Sequence, residues 1–242
     1  LFLFCITITQ GQGKIRRPVP ASKRILLTRR KMINITDPRI ESYLLKMAPE
    51  NDPVLVAMEE TAKETGVPIV DRLVGRLLYL LTCLKKPKLV VELGSGFGYS
   101  AYWFARALGS GGRVVLTDYS SRHIHHAEHV FDNAGLSSRA EFHTGDALQI
   151  GPRYNDIDIL FIDIDKYLYP EAIRVMLPHL AENALVIADN ALWHGTVAEK
   201  QEPGAKDSGA VREFNEYMFG NGDFFTTIIP LCDGVLLASK IN

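Results

Sequence analysis

Two short acidic stretches carry the chemistry most plainly. The apolar run at 157–162 leads into Asp163-Ile164-Asp165-Lys166-Tyr167, and the run at 184–188 leads into Asp189-Asn190-Ala191-Leu192-Trp193. Two carboxylates and an amide oxygen make a hard, all-oxygen donor set, suited to Mg²⁺ first, or to Mn²⁺ or Ca²⁺, and poor for zinc. The competing reading is two strand ends with turn-favouring side chains. Lys166, read alone, is a solvated strand-end lysine; beside a bound cation it could take a proton from a hydroxyl. Tyr167 and Trp193 could wall an aromatic ligand or simply pack.

A third stretch, Val91-Glu92-Leu93-Gly94-Ser95-Gly96-Phe97-Gly98-Tyr99-Ser100, places GxGxG at a strand–helix junction. Glycines there let the backbone approach a ligand closely. The spacing is not the GxGxxG of nicotinamide enzymes, and Glu92 would repel a pyrophosphate while suiting a cationic group such as an amino-acid ammonium. Asp118 closes the next apolar run, where a carboxylate can hold ribose hydroxyls. Asp146, in Gly145-Asp146-Ala147, closes the third and could accept from an adenine amino group. Turn preference explains any one of these acids; three in register after consecutive strands are harder to explain that way.

The elements that must position these residues follow from hydrophobic patterning. Asp37-Pro38 and Asn51-Asp52-Pro53 open helices within 37–66, Gly66 closes the second, and 73–84 reads as a third, closed by Lys85-Lys86-Pro87. Beyond residue 88, short apolar runs alternate with helices; Ile173, Met176, Leu177 and Leu180 give the i, i+3, i+4, i+7 stripe of one helix. Near-continuous apolarity in the central runs implies burial on both faces. The last two runs, 224–229 and 235–238, are joined by a connection too short for a crossover helix and predict an antiparallel hairpin. The expected fold is α/β: a doubly wound, seven-stranded, mostly parallel Rossmann-like sheet with a C-terminal antiparallel hairpin, whose ligands bind beyond the C-terminal strand ends.

Charge divides the chain. Among 242 residues, 27 Lys and Arg face 28 Asp and Glu, but residues 1–31 hold eight basic side chains and no acid, leaving −9 on residues 32–242. We read 32–242 as a single domain and the leader as outside the fold: a start-site artefact ahead of Met32, an organellar transit peptide, or a nucleic-acid-binding arm. An acidic body disfavours a nucleic-acid partner, three isolated cysteines indicate neither disulfides nor a cysteine zinc site, and no apolar run suggests a membrane span. His125-His126-Ala127-Glu128-His129 matches HxxEH, but at 100° per residue its histidines fall opposite Ile124, Ala127, Phe131 and Ala134, on a solvated helix face.

The acids and glycine loop together resemble the S-adenosylmethionine site of class I methyltransferases. From about residue 70 onward the chain is similar to the cation-dependent O-methyltransferases of the caffeoyl-CoA and catechol type, including bacterial members. The resemblance rests on V-E-L-G-S-G-F-G-Y-S, F-I-D-I-D-K-Y, D-N-A-L-W-H-G, V-R-E-F-N-E-Y and I-P-L-C-D-G-V-L-L-A-S-K in that order. It implies Asp163, Asp189 and Asn190 as ligands of a divalent cation and Lys166 as catalytic base. It also implies Glu92, Gly94, Ser100, Asp118, Asp146 and Ala147 as contacts of S-adenosylmethionine, with Asp165 near its methionine end. The implied substrate is a small aromatic with vicinal hydroxyls. Methylation of a hydroxylated uridine in tRNA and a non-catalytic cofactor-binding role are the alternatives. A homodimer comes with the resemblance, while the isolated cysteines indicate a reducing compartment and hence a cytoplasmic location, organellar if the leader is a transit peptide. The loop at 194–208 gives no diagnostic match for substrate, and Arg212 reads as a solvated arginine rather than a substrate contact.

Overall fold

The first three helices form where aspartates cap them. In this computed structural model, which describes residues 35–200 and 205–241, the side chains of Asp37, Asp52 and Asp71 each accept from the backbone N–H two residues on. They start α1 (Pro38–Met47), α2 (Pro53–Thr65) and α3 (Arg72–Lys85). Gly66 ends α2 at φ 71°, and Pro87 follows the end of α3. The basic leader at 1–31 lies outside the described residues, with the expectations attached to it.

Seven strands follow: β1 (Leu89–Leu93), β2 (Arg113–Asp118), β3 (Ala140–Thr144), β4 (Ile157–Ile162), β5 (Leu180–Ala188), β6 (Phe224–Ile229) and β7 (Val235–Lys240). They assemble in the order β3-β2-β1-β4-β5-β7-β6. The first five are parallel, and β7 runs antiparallel to both of its neighbours. The intervening helices are α4 (Tyr99–Ala107), α5 (Ser121–Asn133), α6 (Ala147–Ile150), α7 (Tyr169–Met176) and α8 (Lys206–Gly220). β1 is buried along its whole length. Val90 joins one core with α2–α5, whereas Val91 joins the other with α7 and α8. A strand covered on both faces has no polar side to show, hence the unbroken apolar runs.

One expectation fails locally. The stripe ending at Leu180 reads as a single helix, but α7 stops at Met176, a 3₁₀ turn covers Leu177–His179, and Leu180 opens β5 opposite Ile157. Pro178 lacks the N–H that a continuing helix requires, so the period persists while the helix does not. β5 is therefore four residues longer at its start than its apolar run suggests.

Register places the chemistry. Leu93 pairs with Thr117 and with Ile162, and Ile162 pairs with Ala188. One residue further on, Gly94, Asp118, Asp163 and Asp189 therefore stand side by side at the C-terminal edge. The chain winds outward from β1 to β3, then crosses back to β4, so this edge spans the topological switch point where open α/β sheets bind ligands.

Candidate active site

One cavity of about 680 Å³ opens along that edge. Its lining includes Gly94, Ser100, Asp118, Asp146, Ala147, Asp163, Asp165, Lys166, Tyr167, Asp189, Asn190 and Trp193. Of the site residues expected from the sequence, Glu92 alone stands off the cavity wall, fully buried behind the glycine loop.

The loop's glycines do different work from one another. Gly94 has φ 85°, and a Cβ on it would lie 2.3 Å from the carbonyl oxygen of Asp163. This glycine admits the end of β4 at its Cβ position while also lining the cavity. A Cβ on Gly96 would stand in ordinary contact with Pro68 O at 3.9 Å, and the Gly96 N–H donates to Asp118 Oδ2 at 3.1 Å. Asp118 also accepts from Ser120 N at 2.8 Å and pairs with His123 Nδ1 at 3.1 Å. Nothing in the sequence pattern singles out His123, which also lines the cavity. Asp146 lies just past β3, capping α6 by accepting from Leu148 N at 2.9 Å. Val67–Val70 closes the near side, entering α3 where Arg72 pairs with Glu59, which also accepts from Tyr99 Oη at 2.8 Å.

Glu92 is fully buried with only part of its carboxyl satisfied. Ser100 Oγ donates to its Oε1, while Oε2 is buried with no hydrogen-bond partner among the described residues. Burial pushes the carboxyl up to about 8, against the pull of Ser100. An orphaned buried acceptor at the base of a glycine loop fits a ligand that brings a positive charge or an N–H donor.

At the other end, Lys166 is buried to 8% exposure, and Nζ donates to Asp163 Oδ1 at 2.7 Å, to Ile164 O at 3.3 Å and to Tyr169 Oη at 2.9 Å. It is not the solvated lysine that its position alone suggests. Tyr169, missed in the sequence, is the hub. Its hydroxyl lies 3.0 Å from Asp189 O and 3.2 Å from Ile162 O, so it ties Lys166 to the ends of both acid-bearing strands. Burial, and then the charges of Asp163 and Asp189, hold that hydroxyl well above the usual tyrosine range, so it stays a donor.

Asp189, 6% exposed, has its carboxyl raised to about 7 by burial first and by Asp163 next. Two adjacent carboxylates served by one lysine leave the site short of positive charge, and with Asn190 they match a hard cation in donor type. Among the described residues no three His, Cys, Asp or Glu side chains converge as a metal group; the candidate set depends on the amide. Tyr167 is 39% exposed, with Lys206 Nζ 3.6 Å from its ring centre, and Trp193 is half-buried at φ 41°.

Arg212 corrects its sequence reading. Its guanidinium donates to the carbonyls of Val197 and Glu199 at 3.2 and 3.0 Å and is partly buried, tying the loop after β5 to α8. His125, His126 and His129 are exposed on α5, away from the cavity lining.

The strand order, the antiparallel last strand and a ligand crevice over the β1/β4 switch are the architecture of class I methyltransferases. The O-methyltransferase family model matches residues 46–241, and the chain belongs to that family. A catechol O-methyltransferase of Niastella koreensis is 32% identical over 211 residues, covering 82% of this chain and 95% of that protein. A methyltransferase structure from Geobacter sulfurreducens matches with a TM-score of 0.77 at 43% identity, covering 87% of this chain and 100% of its own. An O-methyltransferase involved in tomaymycin synthesis in Streptomyces achromogenes, solved in complex with SAM, matches with a TM-score of 0.77 at 28% identity, covering 84% and 96% of the two chains.

Proposed function

We propose that this O-methyltransferase transfers the methyl group of S-adenosylmethionine to one hydroxyl of a small aromatic with vicinal hydroxyls, in the presence of a divalent cation. One observation carries the reading: the Lys166–Asp163 pair and Asp189 face the same cavity as the glycine loop. The SAM-bound Streptomyces relative supports the cofactor, and the catechol O-methyltransferase relative supports the substrate class.

The residues divide the labour along the cavity. Glu92 Oε2 would receive the cofactor's ammonium, Asp118 its ribose hydroxyls and Asp146 its adenine amine. Asp163, Asp189 and the Asn190 amide oxygen would hold the cation, which when bound supplies Lewis-acid stabilisation of a phenolate. A phenol with a pKa of about 10 is a weak nucleophile at neutral pH. Lys166 Nζ would take its proton, with Tyr169 Oη keeping the amine turned toward the cavity. Tyr167 and Trp193 would flank the ring, excluding water and fixing its plane.

The test is transfer of labelled methyl from S-adenosylmethionine to catechol, with Mg²⁺ or with EDTA. Transfer that needs Mg²⁺ supports the reading. Equal transfer under chelation removes the cation from it, and no transfer to any vicinal diol removes the substrate class.

A further inference from the structure

Asn190 is the weakest-specified member of the proposed donor set, because an amide can present either oxygen or nitrogen. A cation accepts only the oxygen, so something must settle which end faces the cavity. The connection between β6 and β7, residues 230–234, supplies it. Asp233 Oδ2 lies 3.2 Å from Asn190 Nδ2, and Asp233 Oδ1 accepts from His194 N at 2.5 Å. Its side chain is 14% exposed, and His194 Nδ1 lies 3.5 Å from Oδ2. A backbone N–H can only donate, so His194 fixes one carboxylate oxygen and thereby aims the other at Asn190. A carboxylate oxygen accepts, so the Asn190 atom facing it is the NH₂, leaving the amide oxygen as the free end.

The two loops are locked as well as touching. Ala191 N donates to Gly234 O at 2.9 Å and Leu192 N to Asp233 O at 3.0 Å. Gly234 has φ 82°, and a Cβ there would come within 2.4 Å of the Leu192 side chain, so no other residue allows this approach. Asn190, Trp193 and His194 all hold positive φ, at 51°, 41° and 55°. Three non-glycine residues in the left-handed region within five positions persist only where surrounding contacts over-determine them.

We propose that Asp233 is a positioning residue that fixes the orientation of the Asn190 amide, turning its oxygen toward the cation site. The inference rests on the divalent-cation reading of Asp163, Asp189 and Asn190. It follows from an oxygen count: His194 N and Asn190 Nδ2 each meet a different oxygen of Asp233, and only a carboxylate offers two. An asparagine side chain at this position keeps one acceptor, which the backbone N–H claims, and turns its own NH₂ toward Asn190. The Asn190 amide then flips and presents nitrogen to the cation.

The experiment measures Mn²⁺ affinity of the full chain by electron paramagnetic resonance, with S-adenosylhomocysteine calorimetry on the same samples as a check of fold. Loss of an outer partner of a metal ligand typically costs about ten- to a hundredfold in metal affinity, and Asp233→Asn is expected in that range with cofactor-product binding unchanged. In the double variant Asn190→Asp/Asp233→Asn, position 190 has no nitrogen to misdirect and the new amide at position 233 donates to it, so Mn²⁺ affinity recovers. Equal affinity of Asp233→Asn and wild type overturns the inference while leaving the cation site standing. A loss that the double variant does not repair, or one accompanied by loss of S-adenosylhomocysteine binding, overturns it in favour of a purely structural Asp233. If wild type itself binds no Mn²⁺, the cation reading fails and this inference fails with it.

Discussion

Replacing Glu92 by Gln should stabilise the cofactor-free protein at alkaline pH and weaken its grip on the cofactor. The folded carboxyl is raised from 4.5 to about 8, chiefly by burial, and one oxygen has no hydrogen-bond partner among the described residues. Between those values the native state holds a proton that the unfolded chain releases, so the group's stabilising contribution is complete below 4.5 and is lost as pH rises through about 8. At 1.36 kcal/mol per unit the shift sets a ceiling of about 5 kcal/mol; between about pH 5.5 and about pH 8.5 the loss is about 3 kcal/mol. Gln keeps the shape and the acceptor for Ser100 Oγ but never ionises, so its effect should be small at the acid end and stabilising at the alkaline end. At about 2–4 °C per kcal/mol for a chain of this size, the melting difference between variant and wild type should widen by about 6–12 °C across that range. Urea denaturation at both pH values, in the absence of cofactor, reads the change directly, and other titrating groups largely cancel in the comparison. With cofactor present the advantage of Gln should shrink, because a buried charge-assisted contact of about 1.5–3 kcal/mol is lost, an affinity loss of about ten- to a hundredfold. A stability difference that does not change with pH would refute the uncompensated-charge argument.

Two further substitutions probe the geometry. Tyr169→Phe retains the ring packing against Phe214 but removes the acceptor for Lys166; kcat should fall about ten- to a hundredfold with S-adenosylhomocysteine affinity unchanged, and an unchanged kcat would dismiss Tyr169 as the residue that orients the amine. Gly94→Ala, with its Cβ 2.3 Å from a carbonyl oxygen at positive φ, should cost several kcal/mol or prevent folding, as read by soluble yield and circular dichroism.

Strand-end chemistry is legible in the sequence because a parallel sheet converts sequence order into a row. Each acid follows an apolar run, and the pairing of Leu93 with Ile162 and of Ile162 with Ala188 brings their successors to one edge. Asp-Pro caps are equally legible, being local. What escapes is whatever depends on contacts between distant loops. Asp233 has no assigned role in the sequence; its partners, Asn190 and His194, lie on another loop. Arg212 reads as solvated because nothing local shows the carbonyls of the preceding loop turning toward it. Gly94 reads as a glycine for ligand approach, and nothing local shows that its Cβ position is also occupied by the backbone just past β4. Leu180 satisfies the helical period although the helix has already ended before Pro178.

In the proposed reaction Asp163, Asp189, Asn190 and Lys166 act together on a chelated pair of hydroxyls. Turnover of catechol against phenol, each with saturating S-adenosylmethionine and Mg²⁺, tests it most directly. Both offer a phenolic oxygen of similar acidity, and only catechol can present two oxygens to one cation. Methylation of catechol is expected with phenol lower by at least about a hundredfold, the scale that follows when an interaction worth about 3 kcal/mol is lost in the transition state. Comparable rates for the two would contradict it, because a site that needs only one hydroxyl has no use for the chelating set.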